Sequence, residues 1–294
     1  MSLSRYLQDP QTLSKVSDLS PQKLRQHIFE RGNHWYSRHP EIDRHIGDNL
    51  SRFSMNNVRQ TIDAVKQHLL LHYYEKLLPL CGGPGFFGDF IEKSVETDDA
   101  SLLSDPALDE KGILIVTGHF GAIEFIVPTL ARLGHTINVV LRFTTEQFSR
   151  EAHARAKALT ESGLFGRISF IEIGKPQTNA ALDMAAVLRR KEILLTVIDE
   201  KTPYSKPVEL FGTKVWGGAG IDRLVMFSRA PMAIVSAMMI REPENRYRLS
   251  LKDIPVDRAN ILQLIYDNLQ STISEHPEQW YFLHEDIPFV EQSA

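Results

Sequence analysis

His119 and Glu124, within Thr117-Gly118-His119-Phe120-Gly121-Ala122-Ile123-Glu124-Phe125, are the residues whose types and spacing best fit chemistry. A histidine takes a proton from an attacking hydroxyl when a carboxylate fixes its tautomer and stabilises the imidazolium that forms. A hydroxyl activated in this way attacks an acyl group directly, without a protein nucleophile. Five positions correspond to about 500° of rotation on a continuous helix, which points the two side chains apart. A bend from strand to helix removes the objection: His119 sits in the turn and Glu124 reaches back from the first helical turns. The helix N-terminus favours the ionised carboxylate there. Gly118 and Gly121 permit tight turning and close approach of a ligand to the backbone, so Gly121 is a candidate substrate-binding position. A bare His-x4-Glu pair is more often an ordinary helix start; its place at the end of a strand distinguishes this one.

The elements around it supply that strand end. Pro21–His39 and Asn56–Leu80 carry apolar residues three and four apart and read as helices, with Ser54 and Asn56 as caps for the second. Cys81–Gly88, CGGPGFFG, reads as a helix stop, and 93–112 as a charged connector. Then the rhythm changes to strands at Gly112–Thr117, Ile137–Arg142, Ile168–Ile173 and Ile193–Asp199. Helical stretches at Gly121–Leu133, Glu146–Glu161 and Asn179–Arg190 separate them. Beyond Pro203 come strand candidates VELFG, MAIVSAMMI and YRLSL and a helix over 257–275. The alternation predicts an α/β fold with a mixed, largely parallel central sheet covered by helices, preceded by an N-terminal helical region. The expected organisation is a helical region 1–95 packed on an α/β core 96–294, one domain overall. Active sites of such sheets lie at the carboxyl ends of the strands, where His119 falls.

Composition narrows the class. The 294 residues are 43% hydrophobic and 24% charged, with a formal net charge of −4. That charge argues against a nucleic-acid partner, which selects for a basic face. Cys81 is the single cysteine and has no internal partner, which suits a reducing compartment. No apolar run reaches the roughly 18 residues of a membrane span, and the N-terminus lacks the pattern of a secretory signal. The expected state is cytoplasmic, soluble or peripheral on the cytoplasmic face of an inner membrane.

GHFGAIE resembles the His-x4-Asp/Glu signature of the glycerolipid and lysophospholipid acyltransferases. More closely, it resembles the HFGNWE form of bacterial lipid A lauroyl and myristoyl acyltransferases and of mycobacterial phosphatidylinositol mannoside acyltransferases. Asp48-Asn49-Leu50 before a helix ending YYEKLL, VVLR ending at Arg142, LRRKEILLTVIDE (Leu188–Glu200), LFGTKVWGGAG (Leu210–Gly220) and HPEQWYFLHE near the end resemble further family stretches, in order. This resemblance implies transfer of an acyl group from acyl carrier protein or acyl-CoA, a co-substrate rather than a cofactor, to a lipid or glycolipid hydroxyl. His119 is then the base and Glu124 its orienting partner. Arg142 is expected near the donor phosphate or the developing oxyanion, and Glu200 at the acceptor. No metal is implied. The chain departs from the family at Ala122-Ile123 (for Asn-Trp), at Asp199-Glu200 (for Asp-Gln) and at Glu285-Asp286 (for paired arginines). The other class of reading is a catalytically inactive lipid- or acyl-carrier-binding relative, against which the retained His119 and Glu124 stand.

Other signals read as structural. Gly83–Gly88 fits G-x-G-x-x-G but follows a helix rather than a strand. His68 and His72 have metal-like spacing, with only Glu75 as a third ligand, and packing is the simpler role. Arg189-Arg190-Lys191 is either a dock for an acidic carrier protein or a helix end complementing its own dipole. No G-x-S-x-G elbow occurs.

Overall fold

A computed structural model describes residues 2–55, 58–104, 111–143, 145–174, 179–200, 205–218, 220–227, 231–256, 260–287 and 290. The apolar spacing of the first third folds as helices α1 (Leu3–Leu7), α2 (Pro10–Val16), α3 (Pro21–Tyr36), α4 (Glu41–Arg52), α5 (Val58–Leu77) and α6 (Gly83–Ser94). Ser20 caps α3 through the Lys23 amide, with Pro21 in the first turn, where its missing N–H is no loss. The expected cap Asn56 lies outside the described residues.

Two features differ from expectation here. The segment before α5 is itself helical (α4). The glycine-rich stop ends one helix and also starts the next, because Gly82 turns at φ +66° and Pro84 opens α6. The connector 93–112 contains a short strand, β1 (Val95–Thr97), and one helical turn, α7 (Ser101–Ser104).

The sheet then develops through β2 (Gly112–Thr117), α8 (Ile126–Arg132), β3 (Ile137–Leu141), α9 (Glu146–Glu161), β4 (Ile168–Glu172), α10 (Ala180–Arg189) and β5 (Ile193–Val197). A hairpin of β6 (Lys206–Leu210) and β7 (Thr213–Gly217) precedes α11 (Gly220–Phe227). The chain closes with β8 (Met232–Glu242), β9 (Arg246–Asp253) and α12 (Ile261–Glu275). The seven-stranded sheet has the order β1-β9-β8-β2-β5-β3-β4. β8, β2, β5, β3 and β4 run parallel, and β9 with β1 runs opposite to them. The sheet is therefore mixed and largely parallel, as the alternation predicts. VELFG belongs to the separate hairpin, which turns at Phe211-Gly212 (φ +52° and +69°).

Alternation within single strands explains why helices cover both faces. Ile113, Ile115, Ile193 and Leu195 point into one core with α3, α5, α6, α8 and α9. Leu114, Val116, Leu194 and Ile234 point into the other with α10, α11 and α12. All six residues of β2 are buried, so β2 is a central strand with no solvent face. At its start, a Cβ on Gly112 would lie 2.5 Å from the Leu188 carbonyl, so glycine lets α10 pack directly on the strand.

The N-terminal helices and a segment after α12 meet at one residue. Asn49 of α4 is buried, and its amide approaches the carbonyls of Phe282 (3.4 Å), Leu283 (3.2 Å) and Glu285 (3.2 Å). Two of the stretches that carry the family resemblance are thus joined by one side chain. Asn49→Ala, which strands buried carbonyls, is expected to lower the unfolding free energy by about 1–3 kcal/mol in urea titration.

Candidate active site

β2 and β5 are adjacent and parallel, with Thr117 in register with Val197. Two residues further on, His119 and Asp199 therefore leave the sheet side by side. Asp199 is fully buried. Its Oδ1 lies 2.8 Å from His119 Nδ1, and its Oδ2 accepts the His119 backbone N–H at 2.8 Å. A carboxylate only accepts, so Nδ1 carries the ring proton and Nε2 presents a lone pair. The approach requires Gly118, where a Cβ would stand 3.1 Å from Asp199 Oδ2 and 3.0 Å from Leu269. Opposing effects set the basicity of the ring. Burial lowers it most, but the charge and hydrogen bond of Asp199, with the charges of Glu200 and Glu124, raise the net pKa of His119 above the ordinary histidine value.

In this geometry Asp199 occupies the position at Nδ1 anticipated for Glu124. The residues after the turn form a 3-10 helix, Ile123–Phe125, before α8 begins. Half-buried Glu124 lies in that 3-10 helix, and no hydrogen bond joins it to the ring among the described residues. Its effect on His119 is through charge alone. The sequence signal for Asp199 was its position at the end of a strand and in the LTVIDE stretch; what hid it was the 80 residues separating it from His119.

Glu200 follows Asp199 at the rim, half-exposed, with Oε1 3.8 Å from His119 Nε2. Arg142 is on the same rim, beyond the end of β3, which is separated from β2 by β5. It is exposed, and its guanidinium lies against Gly174 past the end of β4, away from the histidine. The structure thus brings Glu200 to His119 but leaves Arg142 outside the cluster. Arg189-Arg190-Lys191 lies at the opposite rim, before β5, where Arg190 pairs with Glu192 (3.0 and 2.9 Å). The triplet is thus at the opposite end of β5 from Asp199.

Gly121 supports the turn and also lines the cavity beside His119. It turns at φ +55°, and a Cβ there would lie 1.8 Å from the Met239 carbonyl. β8 outruns β2, and the turn bonds to that overhang and to the C-terminal segment: Ala122 N–H donates to Met239 O, and Gly121 N–H to Gln279 O, both at 2.9 Å. The Gly121 carbonyl accepts from Arg241 Nη2 at 2.7 Å. Arg241 is locked by buried Glu75 of α5 in a bidentate pair (2.7 and 2.8 Å). Gln279 clamps the Arg241 backbone on both its N–H (2.8 Å) and its C=O (3.0 Å). Tyr281 N–H completes the frame by donating to His119 O at 3.0 Å.

Glu75, Arg241 and Gln279 escaped sequence reasoning, since no spacing links them; the arginine within the apolar run of β8 was the available hint. His68 and His72, one helical turn apart on α5, face a cavity beside His119. Among the described residues no group of three or more His, Cys, Asp or Glu is arranged to hold a metal. No helix among them is long and apolar enough to cross a membrane.

Residues 87–287 match the family model described as bacterial lipid A biosynthesis acyltransferase, over half of the chain. No individual curated protein matches. Breaking the pair under the turn gives a test of its structural role. Glu75→Leu, which leaves a buried guanidinium unpaired, is expected to lower the unfolding free energy by about 3–5 kcal/mol in urea. The exposed Arg59→Ala control is expected to stay within about 0.5 kcal/mol of the parent.

Proposed function

The chain belongs to the bacterial lipid A biosynthesis acyltransferase family, and on that footing we propose that it moves a fatty acyl group from acyl carrier protein or acyl-CoA to a hydroxyl of a lipid or glycolipid acceptor. The observation that carries this reading is the ring of His119, fixed at Nδ1 by buried Asp199 and presenting Nε2 at the carboxyl end of β2. The acceptor O–H gives its proton to Nε2 as the oxygen attacks the thioester carbonyl. The tetrahedral adduct collapses, the C–S bond breaks, and the leaving thiolate takes the proton from the imidazolium. Asp199 holds the tautomer and stabilises the imidazolium, the part a buried carboxylate plays in serine hydrolases, with the substrate hydroxyl in place of the serine.

Glu200, next to Nε2, is assigned to the acceptor side, where its charge also favours the imidazolium. Glu124 adds its charge at a distance, and its carboxylate, unbonded within the described protein, is left for a substrate contact. Arg142 is exposed and away from His119, a position that suits a phosphate of the donor better than the oxyanion. Access is from a membrane surface by peripheral contact, because the acceptor is a lipid.

The direct test supplies labelled acyl carrier protein or acyl-CoA with a lipid A precursor or a total lipid extract. Wild type is expected to form labelled lipid, and His119→Ala to be slower by about 10²–10⁴-fold. Equal product from both proteins would refute the role of His119.

The pH profile separates the two carboxylates. Activity needs neutral His119, so kcat/KM rises with pH through its raised pKa. Asp199→Asn removes the contributions that raise that pKa most and moves the acid limb to lower pH. Glu124→Gln is expected to move it less; the reverse order would return the orienting role to Glu124. For Arg142→Ala the expected change is a higher KM for the acyl donor with kcat nearly unchanged, read from initial rates.

A further inference from the structure

Beside His119 lies a cavity of about 20 Å³, lined also by His68, His72, Arg241 and Glu278. That volume admits a water-sized group. Val65, Leu69 and Ile123 form apolar wall, and Arg241 and His72 bring donors to it. Arg241 is about nine-tenths buried and has five N–H groups. Nε and Nη2 are taken by Glu75 and the Gly121 carbonyl at 2.7–2.8 Å. Nη1 carries two N–H groups and has one partner, His68 Nδ1 at 3.5 Å, so its second N–H has no acceptor among the described residues.

His72 stands across from it, packed edge-on against Tyr73 and Tyr281 (ring centroids 5.4 and 5.2 Å away), and neither ring nitrogen has a hydrogen-bond partner among the described residues. Glu278, the one acid on the lining, lies within 3.9 Å of His276. A single oxygen that accepts two hydrogen bonds fits such a site. In acyl transfer at His119 that oxygen is the thioester carbonyl oxygen, which becomes negative as the hydroxyl adds.

We propose that this cavity is the oxyanion site of the reaction, with Arg241 Nη1 and a His72 ring N–H as its donors. The proposal rests on the acyl-transfer reading above and adds to it two catalytic residues outside the β2 turn. The frame that pins the turn is also what pre-orients the donor, since the guanidinium that holds the Gly121 carbonyl also lines the cavity, with Nη1 beside His68 on the same lining. Burial, then the charges of Lys76, Arg241 and His119, push the His72 pKa well below its usual value. His72 thus stays a neutral imidazole that donates one hydrogen bond and does not compete with His119 for the transferred proton. His68 is held neutral too, down to about 3, by burial, Arg241 and His276, and so accepts from Arg241 rather than repelling it.

The test compares His72→Phe, His72→Leu and His72→Gln with wild type in the labelled-donor assay, with melting temperature as the check on folding. Phe keeps the ring contacts, Leu is a smaller apolar control that guards against misfit, and Gln restores an N–H donor. Phe and Leu are expected to lower kcat by about 10²-fold, with KM for the acyl donor within about twofold, and Gln to recover to within about tenfold of wild type. A packing role would not give that split or that rescue. If a folded Phe or Leu variant keeps kcat within about threefold, or if KM rises while kcat holds, the oxyanion assignment is overturned and the role of His119 stands. If wild type transfers no acyl group, both readings fall together.

Discussion

The buried carboxylate of Asp199 grips His119 twice, once at the ring and once at the backbone, and the architecture of the active face follows from that grip. A carboxylate with no solvent exposure needs compensation for its lost hydration, and two N–H donors from one residue supply it. For both donors to reach it, β2 and β5 must be parallel neighbours that end in register, and the residue before the histidine must lack a side chain. The same grip settles the ring's tautomer and leaves Nε2 as the nitrogen with the lone pair.

A second buried charge pair supports the other side of the turn. Glu75 and Arg241 come from α5 and from the overhanging end of β8, and they meet where the Gly121 carbonyl needs a donor. As stabilisation alone such a pair is weak, because its desolvation penalty offsets much of the attraction. Its worth lies in direction: bidentate geometry fixes the guanidinium plane, and that plane serves both the turn and the cavity beside it. Gln279 brings the C-terminal segment into the same frame, so residues more than 150 positions apart share one rigid support.

The rim separates charges by task. Acidic Asp199, Glu200 and Glu124 act on His119 and keep the imidazole basic, while Arg142 is held two strands away against Gly174. An arginine inside that cluster would oppose them by stabilising the neutral ring. Distance along the rim lets one face carry both a basic histidine and an exposed arginine.

Much of the fold was legible because its signals are local. Buried strands such as GILIVT, helices between them and a histidine at a strand end are written in consecutive residues, and the α/β class followed from their alternation. The family resemblance was legible for the same reason, as short ordered stretches. α4, β1 and the restart of a helix at Gly83 were less so: a glycine-rich stop and a helix start look alike, and a three-residue strand exists only through its pairing with β9. The sequence by itself therefore determined the class of fold, the place of His119 at a strand end and the family. Only the tertiary structure decided which carboxylate serves that histidine, because spacing in the chain suggested Glu124 while the sheet order placed Asp199, 80 residues away, at Nδ1. Side-chain pairing is set by which strand ends lie side by side, and strand order depends on the packing of the whole sheet.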